Sequence, residues 1–270
     1  MEYKLIAFDM DGTLLQSDKT LSKEVIEAIH KASSNGKEII ISTGRCLPEL
    51  SEVFNHLPEV RYLLVCNGSL VIDWKTKTII YSNPIQVELV EQMLSCVENK
   101  PIMAQILDYK CVLEKNKVDI AEQYGMGAFK SNYYEIGTLV KHLPSYFQQN
   151  KTCIQKMNFY HLSQEDRDST IESFKNLDLT IKKGNETYIE CTAKNVNKGD
   201  SFIKLCEYLN ISLKQTIAVG DSFNDLEILN VAGLSICMDN GNEFVKEACD
   251  IIVSDNDNNG CVEAVENFLL

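Results

Sequence analysis

Short stretches dominated by apolar residues recur along this chain, each stopping abruptly at polar residues. Leu5 to Phe8, Lys37 to Ile41, Tyr62 to Cys66, Gln215 to Val219 and Leu234 to Met238 have the length and content of strands buried on both faces. Between them run segments of helical spacing. Leu21 to Ser34 places Val25, Ile26, Ile29 and Ala32 on one face and stops at Asn35-Gly36, Pro48 opens another helical segment, and Lys198 to Tyr208 is a third. A short strand at Asp250 to Val253 and a helix at Cys261 to Leu270 close the pattern. Strands alternating with helices predict a parallel sheet with right-handed crossovers, whose strand-end residues gather along one edge.

The pattern changes after Leu70. Leu70 to Ile72 and Thr78 to Tyr81 flank the polar turn Asp73 to Lys77 as a hairpin, and Ser82-Asn83-Pro84 reads as a linker. Beyond it, helices are predicted at Ile85 to Val97, Glu135 to His142 and Glu165 to Phe174. Strands are predicted at Ile102 to Leu107, Cys111 to Leu113, Thr152 to Tyr160, Leu179 to Lys182 and Thr187 to Cys191, while Lys115 to Tyr134 has no clear period. None of these strands ends in a polar cluster of the earlier kind. The expectation is an α/β core built from residues 1–82 and 191–270, with a separate α+β unit, 83–190, inserted into it.

Composition narrows the partners. A net charge of −13 and a pI near 4.8 leave no basic footprint for nucleic acid or an anionic membrane. The first residues, MEYKLIAFD, lack the features of a signal peptide, and no apolar run approaches membrane-spanning length. The ten cysteines lie at least twelve positions apart, so neither structural zinc nor a disulfide framework is expected, and a reducing cytoplasm is the expected setting. Cys46, near a predicted helix start that would stabilise a thiolate, reads as an ordinary packed thiol, with oxidation sensitivity as the alternative. A monomer or weak homodimer handling a small molecule is the expected form.

The chemistry is concentrated at the strand ends. In LIAFDMDGTLL, Asp9 and Asp11 crowd two like charges where a strand stops, an arrangement that favours a bound divalent cation or a retained proton. Asp9 is placed as a nucleophile able to form an aspartyl-phosphate, and Asp11 as the group that protonates a leaving oxygen and later activates water. Asp221 offers a third carboxylate suited to Mg²⁺, with Asp225 one helical turn on to orient it. Ser42 or Thr43 offers a hydroxyl to a phosphoryl oxygen, and Gly44 allows close backbone approach. Lys198 can neutralise phosphate and nucleophile, and Ser222, Asn224, Asn240 and Asn242 can complete the hydrogen bonds. Singly, Thr43 could be a helix cap, Lys198 a solvated residue and Asp221 to Asp225 a capping turn. Their repeated position after apolar strands favours a site.

The set DMDGTLL (Asp9 to Leu15), STGR (Ser42 to Arg45), NG (Asn67-Gly68), NKG (Asn197 to Gly199), GDSFNDLEIL (Gly220 to Leu229) and MDNGNEFVKEACDIIV (Met238 to Val253) closely resembles the haloacid dehalogenase superfamily, and within it the Cof-type, subfamily IIB hydrolases. The resemblance implies a Rossmann-like core with an inserted cap of the C2 type that picks the substrate. It implies Asp9 as nucleophile and Mg²⁺ ligand, and Asp11 as general acid and base that also gives its backbone carbonyl to the metal. Ser42 or Thr43 and Lys198 would bind phosphate, Asp221 would ligate Mg²⁺ and Asp225 would support it, with Arg45 and Asn67 carried in the matching motifs. Cys191 to Val196 lacks the proline or glycine often found before the lysine, so the local loop departs from the pattern. The expected activity is Mg²⁺-dependent hydrolysis of small phosphomonoesters, sugar phosphates first and flavin or cofactor phosphates behind. A phosphomutase would share the first half-reaction. A catalytically silent phosphometabolite-binding regulator gains nothing from a proton donor beside a nucleophile, and a receiver-like phosphoacceptor would need its aspartate exposed.

Overall fold

The structure, a computed structural model, describes residues 2–270. Among the described residues, fourteen strands, numbered in chain order, fall into two sheets, one in each of two compact units. The first unit comprises the chain through Arg45, Leu50–Ser82 and Asn197–Leu270. It holds β1 (Leu5–Phe8), β2 (Glu38–Ser42), β3 (Tyr62–Val65), β4 (Leu70–Asp73), β5 (Thr78–Ser82), β12 (Thr216–Gly220), β13 (Leu234–Met238) and β14 (Ile251–Val253). Their order is β14-β13-β12-β1-β2-β3-β4-β5. The first six run parallel, and the β4–β5 hairpin extends the sheet antiparallel. As the apolar runs predict, β1, β3 and β12 are buried along their whole length. The register sets Phe8 beside Val219 and Ile41, so the chain leaves β1, β2 and β12 at one edge.

Two capped helices show why the sequence breaks where it does. Ser22 caps Lys23–Ser34 by accepting from the Val25 N–H at 3.1 Å. Asn197 caps Lys198–Leu209 by accepting from the Asp200 N–H at 2.8 Å. The second helix buries Phe202, Leu205 and Cys206 in a cluster with Leu5, Ile40, Tyr62, Leu64 and Ala218. Each large apolar side chain so buried contributes about 1.5–3 kcal/mol, which holds the helix start at a fixed place on the sheet. The Asn67-Gly68 turn after β3 packs on that start. Gly68 has φ +93°, and a Cβ there would lie 2.3 Å from the Asn197 carbonyl oxygen and 2.5 Å from Ser201 Oγ.

The second unit comprises Cys46–Glu49 and Asn83–Val196. Its strands are β6 (Met103–Leu107), β7 (Cys111–Glu114), β8 (Gly137–Val140), β9 (Lys156–Tyr160), β10 (Leu179–Asn185) and β11 (Tyr188–Ala193), in the order β10-β11-β9-β6-β7-β8. Helices Val87–Val97, Leu143–Gln149 and Gln164–Phe174 share one core with the sheet, in which Phe159 meets Phe174 edge to face at 5.2 Å. The predicted helix at Glu135 to His142 is a correction. A helix over Lys130–Ile136 ends there, and β8 runs parallel to β7. The β-branched Thr138 and Val140 favour a strand, and pairing with β7 outweighs the weak helical spacing.

Among the described residues no helix is long and apolar enough to cross a membrane. Cys111, Cys191, Cys206, Cys237 and Cys261 are buried free thiols, whereas Cys46 and Cys66 are disulfide-bonded, which corrects the reading of Cys46 as a packed thiol. Gly68→Ala should cost at least about 2 kcal/mol, because a left-handed backbone and a backbone clash act together. Urea unfolding of the purified variant measures this, and wild-type stability would show that the turn is free to move off the helix.

Candidate active site

The parallel pairing of β1 with β12 brings two distant polar turns side by side. Asp9 follows β1, and its N–H donates to Val219 O at 3.0 Å. Asp221 and Asp225 follow β12, and Lys198 opens the helix behind them. Lys198 Nζ donates to Asp9 Oδ1 and to Asp225 Oδ1, each at 2.6 Å, with all three residues buried. Asp225 is spent on this frame. Its Oδ2 accepts the N–H groups of Asp221 and Ser222 at 3.1 Å each, closing a capping box with Ser222. Asp221 Oδ1 accepts from Thr13 Oγ1 at 2.9 Å.

Three carboxylates therefore share one ammonium. Burial works against the charged form of Lys198, but Asp225 and Asp9 outweigh it and hold its pKa above the ordinary lysine value. The surplus negative charge falls on the other two acids. Burial, with Asp225 and Asp221 nearby, raises Asp9 to about 7 against the pull of Lys198. Burial and then Asp225 raise Asp221 to about 6. One oxygen from each of Asp9, Asp221 and Asp225 lies within 4.8 Å of the others. With Asp225 occupied on both oxygens, Asp9 Oδ2 and Asp221 Oδ2 are left to meet a cation. An all-oxygen donor set burdened with excess negative charge fits a hard divalent ion such as Mg²⁺.

Asp11 stands apart from that cluster. Arg45 grips its carboxylate through Nε and Nη2 at 2.8 Å each, and Lys19 Nζ adds a contact at 3.0 Å. Partial burial would raise its pKa, but the hydrogen bonds and charge of Arg45, with Lys19, lower it to about 2.

The other predicted residues divide. Thr43 Oγ1 accepts from the Arg45 N–H at 3.1 Å and keeps its own proton to give, while Ser42 Oγ is buried without a hydrogen-bond partner. A Cβ on Gly44 would lie 2.9 Å from Asn67 Oδ1, and that same Oδ1 accepts from Asn224 Nδ2 at 3.5 Å. These two loops therefore adjoin at the sheet edge. Ser222 Oγ donates to Asn224 Oδ1 at 2.6 Å. Asn242 contributes through its backbone N–H, which donates to Asp221 O at 2.9 Å, while its side chain caps helix Glu243–Ala248 by accepting from the Phe244 N–H at 3.0 Å. Two contacts escaped the sequence reading. The Thr13 hydroxyl was signalled by its place in DGT, whereas Lys19 sits in an aperiodic polar loop that gives no hint of its reach.

Comparison with known proteins identifies the family. The family model for haloacid dehalogenase-like hydrolases matches residues 6–265. The chain is 30% identical to the 5-amino-6-(5-phospho-D-ribitylamino)uracil phosphatase YcsE of Bacillus subtilis, over 100% of this chain and 97% of that one. It is 25% identical to the phosphatase YwpJ of the same organism, over 98% of this chain and 100% of that one. In fold it is similar to a crystal structure of a haloacid dehalogenase-like hydrolase from Bacteroides thetaiotaomicron, with a TM-score of 0.87, 23% identity, and coverage of 98% of this chain and 99% of that one. The chain belongs to the haloacid dehalogenase-like hydrolases and is an enzyme of their phosphatase type.

Proposed function

We propose that this protein hydrolyses phosphomonoesters of small polyhydroxylated metabolites, sugar phosphates or the phosphorylated ribityl chain of a flavin precursor, with Mg²⁺ as cofactor and an aspartyl-phosphate intermediate on Asp9. The observation that carries the reading is the buried Lys198, 2.6 Å from Asp9, beside the carboxylates of Asp221 and Asp225. The uracil-ribityl substrate printed in the name of the YcsE relative supports a phosphorylated polyol. Asp9 and Asp221, with the backbone carbonyl of Asp11, would hold Mg²⁺, which supplies charge neutralisation to the phosphoryl group when bound.

The protein's own groups account for the rest. An Asp9 oxygen attacks phosphorus, forming the acyl phosphate as the bond to the leaving alkoxide breaks, and Asp11 gives that alkoxide a proton. Water then attacks the same phosphorus, Asp11 takes a proton from it, and inorganic phosphate leaves with Asp9 restored. Lys198 keeps Asp9 aligned and offsets its charge as phosphate approaches. The Thr43 hydroxyl and the unpaired Ser42 hydroxyl, both in the STGR stretch, are the side-chain donors it offers to phosphoryl oxygens. For Asp11 to carry a proton, its grip by Arg45 and Lys19 has to loosen, and an incoming phosphate competes for both cations. Residues 83–190 act in this reading as the cap that selects the leaving group.

Phosphate release from a panel of sugar, polyol and cofactor phosphates should require Mg²⁺ and fall by at least about a thousandfold in Asp9→Asn, since removing a nucleophile leaves only binding and electrostatic help. Persisting turnover in Asp9→Asn would overturn the nucleophile. Mg²⁺ affinity should weaken as pH falls through about 7 and then about 6, because Asp9 and Asp221 take up protons that the ion must displace. Calorimetric titration across that range checks the sign, and a flat affinity would move the ligands elsewhere.

A further inference from the structure

The turn that carries Asp11 closes on itself but leaves its outer carbonyls to be satisfied from far along the chain. Thr13 and Leu15 N–H groups donate to Met10 O at 3.3 and 2.9 Å, and Leu14 N–H donates to Asp9 O at 3.2 Å. Outside, Gly12 O accepts from Asn240 Nδ2 at 2.7 Å, Thr13 O from Cys261 Sγ at 3.3 Å, and Leu15 O from Asn256 Nδ2 at 2.9 Å. Asn256 N–H in turn donates to Asn240 Oδ1 at 3.1 Å. The Asn240 carboxamide thus bridges two segments, donating to one backbone and accepting from the other. The loop bearing it is itself fixed, since Gly241 N–H donates to Met238 O at 2.8 Å and Asn242 N–H to Asp221 O at 2.9 Å.

The need for this clasp lies in Gly12. Its φ of +85° is open to glycine without being dictated by it, so the Asp11-Gly12-Thr13 backbone has no local steric reason to hold one direction. One side of the turn meets Asp221, where a Cβ on Gly12 would lie 2.7 Å from Oδ2 and where Thr13 Oγ1 donates to Oδ1. The other side meets Asn240. We infer that Asn240, with Asn256 behind it, is a positioning residue for the proton-transfer step. By fixing the Gly12 carbonyl on the side of the turn opposite Asp221, it sets the direction from which the Asp11 carboxyl reaches the leaving oxygen. The inference rests on the hydrolase reading, in which Asp11 serves as general acid.

The test is the leaving-group dependence of kcat/KM. Asn240→Ala removes both bonds of the carboxamide, and Asn240→Asp keeps an acceptor for the Asn256 N–H but loses the donor to Gly12 O. An alkyl phosphate such as glycerol 3-phosphate needs its alkoxide protonated, whereas p-nitrophenyl phosphate expels a stable phenolate. In both variants the ratio of kcat/KM on the alkyl ester to that on the aryl ester should fall by at least about fivefold, the scale of one lost hydrogen bond. An equal loss on the two esters would make Asn240 merely structural, and no change in either would make it inert; both overturn the inference while leaving the hydrolase intact. Wild-type silence on both esters with Mg²⁺ present would overturn the hydrolase reading and the inference with it.

Discussion

One buried ammonium serving more negative charge than it can neutralise is the constraint around which the first unit is arranged. Lys198 reaches Asp9 and Asp225 at the same distance, and Asp221 stands beside them without a cation of its own. Such a cluster is costly in a low-dielectric interior unless its geometry is held by something stiffer than side chains. Parallel pairing of β1 with β12 supplies that stiffness, and the capped, well-buried helix from Lys198 to Leu209 supplies the lysine from behind. Asp225 completes the frame by spending one oxygen on Lys198 and the other on the backbone at Asp221 and Ser222. The charge left over on Asp9 and Asp221 is then a standing demand for a cation.

Much of this is legible in the sequence because the physics is local. A strand buried on both faces must be apolar, so a carboxylate directly after one announces itself, and Asp9 and Asp221 can be found without any structure. The helix at Lys198 is similarly announced by Asn197, whose side chain caps it. Legibility fails where a contact depends on loops meeting. Lys19 reaches Asp11 from a polar stretch with no period, and Asn242 looks like a site side chain but is used up in capping its own helix. The β8 segment fails for a different reason, since its pairing with β7 is a tertiary choice that short-range spacing does not record.

Asp11 illustrates how a residue can be readable in identity and unreadable in state. Its place two residues after Asp9 suggests a proton carrier, yet Arg45 and Lys19 hold it as a carboxylate. The paired form stores Asp11 as an anion when no phosphate competes for the two cations. Specificity is less readable still. The second unit has its own sheet and core, and its strands end in no cluster that chemistry alone would single out.

The pairing of β1 with β12 also has a bearing on how the chain is made. Thr13 touches Asp221 at a sequence separation of 208, so the central strand of the first sheet waits for its second neighbour through most of translation. At roughly 5–20 residues per second that interval is about 10–40 seconds, during which one edge of an apolar strand has no partner. The second unit is mostly one continuous stretch and can reach its own pairing earlier. The nascent chain therefore passes through a stage with a finished insertion and an unfinished sheet, a natural client for a chaperone that shields exposed strands. The buried cluster of one ammonium and three carboxylates does not exist at that stage, because Lys198, Asp221 and Asp225 arrive with the last third of the chain.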